Sequence, residues 1–479
     1  MNHNNKGRNN GNQRIALNMA VIAIVAMIIV GVILFISPTI KELIAKAKSP
    51  YSVLLDVNKD KRAGISDYHV YGTHFNINGN MQLDLGSKVE DVELIFRNYL
   101  GQETEYPLIY EVIENSVEFS TSEKINTGIN LEEVPVGNYF ALLKITYAKD
   151  ENTKTGTNKS DGEATYDNIK YYSLSDISDE SDLIYYTVTK NSSNNRIDIG
   201  FETIQIDDYT LSIMNVKSKE CELPEDVYDI VIDSGHGGSD GGTVNGKYTE
   251  ANTVLDFALE LKDKLEELGL KVKLTRDGTE DVTTPMAYTM YDEDGRVNIA
   301  GDSKAKLCIS LHLNSYAGTI ANGGLQIYCP YNIDTTFASS LSDEIITEAN
   351  TYASTMKAHS IGEGIYCRTF DDNDIKENIV ASKKGGFEPY NLDTTINYYY
   401  IIRELGGKIT GAYIDGRNEN YGKNKYFNSN IGIETYLVEL GYITHNEDLN
   451  NLLNNQSGYV NGIVNAIKEQ FSLLKQNKY

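Results

Sequence analysis

The sequence predicts an α/β fold: a C-terminal domain on a mostly parallel or mixed twisted sheet flanked by helices, preceded by an all-β domain and one N-terminal transmembrane helix. Three observations carry that prediction. From residue 226 onward, short apolar runs alternate with amphipathic stretches at helical spacing, the order expected of an α/β sheet. Between 51 and 220 the runs are short, rich in β-branched and aromatic residues, and separated by polar turns. Near the start, residues 19–36 carry no polar side chain. At 479 residues the chain is too long for one ordinary domain. It divides into a basic tail at 1–14, an anchor at 15–36, a β-rich region at 51–220 holding one or two sandwiches, and an α/β domain at 226–475.

Residues 15–36 would form about 33 Å of helix, which matches a bilayer core. The tail before them, MNHNNKGRNNGNQR, is basic and free of acid, so the amino end is expected inside and the rest outside. Ala45-Lys46-Ala47 resembles a cleavage site, which leaves a cleaved, secreted form as the alternative. The apolar run is longer than a usual signal-peptide core, and this favours the uncleaved single-pass anchor at the cell membrane.

In the β-rich region, DVELIFRNY, YPLIYEVI and NYFALLKITY read as strands. In the last, Tyr139, Ala141, Leu143, Ile145 and Tyr147 share one face at period two. VPVG before it is a turn signal, and the turn followed by Gly-Asn-Tyr and an alternating strand resembles the F-strand region of immunoglobulin-like sandwiches. The polar stretches 149–165, 175–182 and 191–196 read as loops, RIDIGFETIQI and YTLSIMNV as further strands, and 219–229 as a linker.

The α/β pattern starts with the strand YDIVIDS (228–234). An amphipathic helix follows at 249–269, with Val254, Ala258, Leu261, Leu265 and Leu268 as its buried stripe, Thr249 at its start and Gly269 at its end. LKVKLT, KLCISLHL and IGIETYLVEL are the next strands, and 459–475 is a closing helix.

Charge narrows the function. There are 68 acidic and 43 basic residues, a net charge of -25, so nucleic-acid binding is not expected. Cys221, Cys308, Cys329 and Cys367 are widely spaced and read as small hydrophobes, with a Cys329–Cys367 bridge as the alternative.

The loop SGHGGSDGG after the first α/β strand first suggests nucleotide binding. That fingerprint fails, because Asp240 stands where its third glycine belongs and no Gly-Lys-Ser/Thr follows. The glycines instead allow tight turns around His236. Glu250 opens the amphipathic helix, His312 ends the strand CISLH, and Glu439 ends TYLVE. Ligand sites in open α/β sheets lie beyond the carboxyl ends of the strands, so these four residues are expected at one rim. Two imidazoles and a carboxylate form a common catalytic zinc set, and a further carboxylate serves as general base. Each has a plainer reading: Glu250 as a helix-start acid, His312 as a satisfied strand-end histidine, Glu439 as an ion-pair partner.

Over about 226–475 the sequence resembles the zinc-dependent N-acetylmuramoyl-L-alanine amidases of the amidase-3 family. The blocks IVIDSGHGG, YTEANTVLDFALELKDKLEELGLKVKLTR, GRVNIAGDSKAKLCISLHLNS and YLVELGYITHNEDLNNL occur in the family's order. The resemblance implies that His236, Glu250 and His312 bind one Zn²⁺ and that Glu439 is the catalytic carboxylate. It implies a peptidoglycan hydrolase that cleaves the bond between N-acetylmuramic acid and L-alanine of the stem peptide. Arg276 and Arg296 also match family positions and are expected mainly in structural pairing. Asn314, Arg296, Arg368 and Arg403 are the candidates for substrate contact. Ser234 stands where the family usually has proline, and the segments 277–295 and 328–431 are longer than usual. Such insertions form lids or walls. A covered rim would stay inactive until an activating protein partner moved it, acting through the insertions or the β-rich domain. A non-catalytic scaffold and a zinc peptidase are the competing readings.

Overall fold

The computed structural model describes residues 52–148, 168–175, 183–187, 194–286, 289–317, 323–386, 389–412 and 424–471. The basic tail at 1–14, the anchor at 15–36, all of the polar stretch 149–165 and most of 175–182 lie outside the described residues. Among the described residues, no helix is long and apolar enough to cross a membrane.

In the β-rich half the strands used below are β1 (Val57–Tyr71), β2 (His74–Gln82), β3 (Val89–Asn98), β4 (Gly137–Tyr147), β5 (Ile169–Leu174), β6 (Asn194–Ile206) and β7 (Tyr209–Cys221). β4 is central: it pairs antiparallel with β3 on one edge, and with β7 and β5 along the other. Its predicted alternation is present, since Ala141, Leu143 and Ile145 face a core shared with Phe75, Ile77, Leu94 and Phe96. The opposite face is buried too, because Phe140 and Leu142 meet Ile204, Leu211 and Ile213. Across the turn before β4 the Tyr139 hydroxyl donates to the Pro135 carbonyl at 2.9 Å. β7 runs through Cys221, opposite Asn194, so the expected linker begins only after it.

The α/β half contains β8 (Ile230–Ser234), α1 (Glu250–Glu267), β9 (Val272–Leu274), α2 (Arg296–Asp302), β10 (Leu307–Asn314), β11 (Gln326–Tyr328), α3 (Thr336–Ala349), β12 (Ile365–Tyr366), α4 (Tyr400–Leu405), β13 (Glu434–Tyr442) and α5 (Gln456–Gln470). The sheet order is β9-β8-β10-β13-β11-β12, followed by an edge strand at 360–362. It is mixed: β11 runs antiparallel to β13, and the pairs among β9, β8, β10 and β13 are parallel. Alternate strand residues face opposite layers, as the pleat requires. Ile230, Ile232, Ile309 and Val438 pack with α1, α3 and α5, whereas Val231, Cys308 and Leu437 pack with α2 and α4. In α1, Thr249 caps the start by accepting from Asn252 N. Phe257 completes the buried stripe in place of Leu268, which is 38% exposed because the helix has already ended there. All four cysteines are free thiols; Cys308 and Cys329 are buried.

The halves interlock where the sequence showed no signal. Residues 431–432, late in the chain, pair in parallel with the end of β1. Tyr71 at that end is fully buried within the α/β core. Gly72 follows at φ 59°, and a Cβ there would stand 2.7 Å from Glu434 Oε2, so only glycine fits. Asn126 donates to Glu434 Oε1 at 3.0 Å and to the Asp334 carbonyl at 3.1 Å.

Burial lifts the Glu434 carboxyl from its ordinary 4.5 to about 7, against hydrogen bonds from Tyr436 and Asn126 that lower it. A carboxyl whose folded pKa lies above its unfolded one favours the fold while protonated. That contribution is complete below about 4.5 and lost as pH rises through about 7. Glu434→Gln keeps the shape without the charge and is expected to reduce the loss, which is bounded at about 3 kcal/mol. Urea unfolding of both proteins near pH 5 and pH 8 measures it; identical pH dependence would exclude Glu434 as a source.

Candidate metal centre

β8, β10 and β13 lie side by side, and their rim carries the site. Beyond Ser234 the chain turns sharply, and His236 adopts a left-handed φ of 58°. Two arginines hold that turn. Arg296 donates to Asp233 Oδ1 at 2.9 Å and to the Ser234 and His236 carbonyls. Arg276 donates to the carbonyls of Ser234, Gly235 and Ala251 at 2.6–2.9 Å. Asp233 is fully enclosed, and burial opposes its charge. Arg296, Ser310 and Thr275 outweigh this and hold its carboxyl below the usual range.

His236, Glu250 and His312 meet at the rim, their donor atoms all within 4.8 Å of one another. His236 Nε2 lies 3.0 Å and His312 Nδ1 3.1 Å from Glu250 Oε1. Glu250 also accepts from Leu313 N at 3.0 Å and Thr243 N at 3.1 Å. The imidazole rings are 5.1 Å apart and inclined at 71°. His236 Nδ1 is 2.8 Å from Asp240 Oδ2. Glu439 stands directly opposite His312 in the β10–β13 register. It is 9% exposed, and its Oε2 is buried with no hydrogen-bond partner among the described residues. These residues line one cavity of about 320 Å³ with Thr243, Asn314, Ser315, Tyr399, Tyr400 and Ile401.

The electrostatics favour positive charge at the donor cluster. Burial opposes ionisation of Glu250, yet hydrogen bonds from His236 and His312 hold its pKa far below the usual range. Burial works against a charged His236, but Glu250 and Asp240 raise it to about 9. Glu439 behaves oppositely: burial, then Glu250, lifts it to about 8, with His236 lowering it.

The donor set fits a zinc ion in type and number: two imidazoles, one carboxylate and room beside them. The glycines make that room. A Cβ on Gly235 would lie 2.3 Å from the His312 ring, and one on Gly242 would lie 2.8 Å from both Glu250 and His236. Asp240, with Oδ2 2.8 Å from His236 Nδ1, stands where a carboxylate orients a histidine ring. Sequence reasoning had noted Asp240 only as a missing glycine. The available signal was a carboxylate four residues after a histidine in a turning loop.

The substrate-contact candidates separate. Arg296 and Arg403 are buried, at 1% and 4% exposure, and their guanidinium groups bond to internal partners. Arg403 donates to Glu404 and to the carbonyls of Asn397 and Tyr398. Asn314 lines the cavity, and its amide donates to Gln326. Arg368 lies against the wall, its guanidinium 3.5 Å from the centre of the Tyr398 ring. Arg276 is structural, as expected.

Comparison with known proteins yields one family: the profile described as N-acetylmuramoyl-L-alanine amidase matches residues 230–469, half of the chain. The germination-specific N-acetylmuramoyl-L-alanine amidase of Bacillus subtilis is 34% identical over 155 residues, 31% of this chain and 64% of that protein. The amidase AmiC of Neisseria meningitidis is 34% identical over 95 residues, 20% of this chain and 21% of that protein. The chain thus spans less than two thirds of the length of these relatives. Among solved structures, the amidase AmiC2 of Nostoc punctiforme aligns at 21% identity and a TM-score of 0.32, covering 51% of this chain and 97% of that one.

Two substitutions test the centre through metal content. Asp240→Asn keeps the loop but removes the charge behind His236, and zinc affinity should fall about 10–100-fold in a chelator competition. Gly235→Ala forces a methyl group into the His312 ring and should reduce bound zinc well below one equivalent. Wild-type zinc binding in both would remove this cluster as the metal centre.

Proposed function

We propose that this chain, which belongs to the N-acetylmuramoyl-L-alanine amidase family, hydrolyses the amide between N-acetylmuramic acid and the L-alanine of the peptidoglycan stem peptide. The observation that supports this reading is the convergence of His236, Glu250 and His312 with Glu439 opposite His312 on the next strand. In this reading the first three residues hold one zinc ion. Bound there, zinc lowers the pKa of a water molecule and polarises the amide carbonyl.

The chain's own residues then divide the remaining work. Asp240 accepts from His236 Nδ1 and fixes which ring nitrogen faces the cavity. Glu439 takes a proton from the attacking water and returns it to the departing alanine nitrogen. Its Oε2 has no hydrogen-bond partner among the described residues, so it is free to make this transfer. Asn314, braced on Gln326, lies where it can hydrogen-bond the substrate.

The same reading puts the protein at the cell membrane, anchored once by residues 15–36 with the α/β domain outside. Peptidoglycan would then be the partner reached from the membrane side. An activating protein acting on the insertions or the β-rich half belongs to the proposal, since the segment bearing Tyr399 and Tyr400 walls the cavity.

The full chain in mild detergent, with zinc and purified peptidoglycan, should release new N-terminal L-alanine, identified by labelling and mass spectrometry. Glu439→Gln should lower the rate by at least about 100-fold at unchanged zinc content. A different new terminus would make the protein a peptidase; wild-type rates in Glu439→Gln would remove Glu439 from catalysis.

A further inference from the structure

Amide hydrolysis places negative charge on the carbonyl oxygen, and a donor held at that point speeds the reaction. This inference rests on the activity proposed above and asks which side chain of the cavity is that donor. Asn314 already donates to Gln326, Ser315 is exposed to water, and Thr243 sits on the donor-cluster side with its amide on Glu250. Tyr399 and Tyr400 remain, adjacent at the start of α4 and both on the cavity wall. They face different surroundings. Tyr400 feels Arg296, Asp233 and Asp240, at the base of the His236 loop, whereas Tyr399 feels Glu439.

Tyr399 is also held in place. Its ring meets the Tyr328 ring edge-on, with centroids 4.8 Å apart at 64°. The Arg368 guanidinium lies 5.9 Å from the Tyr399 ring centre and stacks on Tyr398. The Tyr398 amide donates to the Arg368 carbonyl at 2.9 Å, and Arg403 holds the Asn397 and Tyr398 carbonyls. Side-chain hydrogen bonds link the Tyr399 hydroxyl to Tyr328 and Arg368; the guanidinium can only donate, and either phenol can donate to the other. A phenol oxygen that accepts from a guanidinium keeps its own proton to donate, and Tyr399 lines the cavity in which a substrate oxygen would lie. Burial, then Glu439, raises the Tyr399 phenol above its ordinary 10, so it remains a neutral donor near neutral pH.

We propose that the Tyr399 hydroxyl donates a hydrogen bond to the carbonyl oxygen of the scissile amide as that oxygen becomes negative, with Arg368 and Tyr328 as positioning residues. In the step, the water oxygen bonds to the carbonyl carbon, the carbonyl π pair moves onto oxygen, and the water proton passes to Glu439. The carbonyl then re-forms, the carbon–nitrogen bond breaks, and Glu439 returns the proton to nitrogen. Tyr399 keeps its own proton throughout.

The test uses the full chain with Tyr399→Phe, which keeps the ring and its packing, and Arg368→Gln. Zinc content, kcat and KM on muramyl-peptide fragments, and affinity for a phosphinate analogue of the tetrahedral state are measured. Tyr399→Phe should lower kcat about 100-fold and phosphinate affinity at least about 10-fold, with zinc content unchanged and KM within about 3-fold. Arg368→Gln should lower kcat alone but add nothing in the Tyr399→Phe background. Additive losses would end the positioning role of Arg368. Unchanged kcat in Tyr399→Phe, or loss of zinc from it, would overturn the donor role. A wild type that releases no L-alanine defeats the parent reading and this one together; an active wild type matched by Tyr399→Phe defeats this one alone.

Discussion

The ion pair between Asp233 and Arg296 is the constraint on which the rim depends. A carboxylate inside a strand is costly unless it is paired and hydrogen-bonded. Asp233 has Arg296, Thr275 and Ser310 as donors. The pair turns that burial cost into structure, because Arg296 also grips the Ser234 and His236 carbonyls. His236 can therefore hold a left-handed backbone, which a non-glycine residue rarely adopts. Arg276 repeats the grip one residue earlier and extends it to Ala251 in the first turn of α1, next to Glu250. One buried network thus sets both the histidine and the carboxylate of the donor cluster.

The β-rich half contributes to the same frame. Its β1–β2 turn enters the α/β core through Tyr71, and Gly72 lies against Glu434, the first residue of β13. β13 carries Glu439, five residues further on and opposite His312. The strand bearing that carboxylate therefore begins at the joint between the halves. The pairing of β1 with residues 431–432 thus ties the β-rich half to the start of that strand, in addition to the covalent connection after Cys221.

Much of this was legible in the sequence, for physical reasons. His236, Glu250, His312 and Glu439 each sit at or near the end of an element, and the register of a parallel sheet converts those positions into proximity. The stripe of α1 was readable from period, apart from Phe257 and Leu268 at its margins. Contacts between distant segments were not readable. Nothing local marks residues 431–432 as partners of β1, and Asn126 gives no sign of meeting Glu434. The arginines show the same limit. Arg296 and Arg403 have the chemistry of anion contacts, but a side chain's exposure is decided by packing that no short motif encodes. In a chain with 34 tyrosines, Tyr399 stands out only once its neighbours in space are known.

Two carboxylates share the cavity, and their surroundings divide them. Glu250 accepts from two imidazoles and two backbone amides, and stays ionised well below its usual range. Glu439 is also buried, but its Oε2 has no donor among the described residues, and its pKa climbs to about 8. Opposed environments of this kind are how one site obtains different behaviour from identical groups. A permanently charged carboxylate suits the binding of a cation. A carboxylate that gains and loses its proton near neutrality suits transfer between water and a leaving nitrogen. Exchanging the two roles would require moving the donors, not the acids. The glycines at 235 and 242, which let both histidines close on Glu250 alone, are therefore as much a part of the assignment as the charged residues.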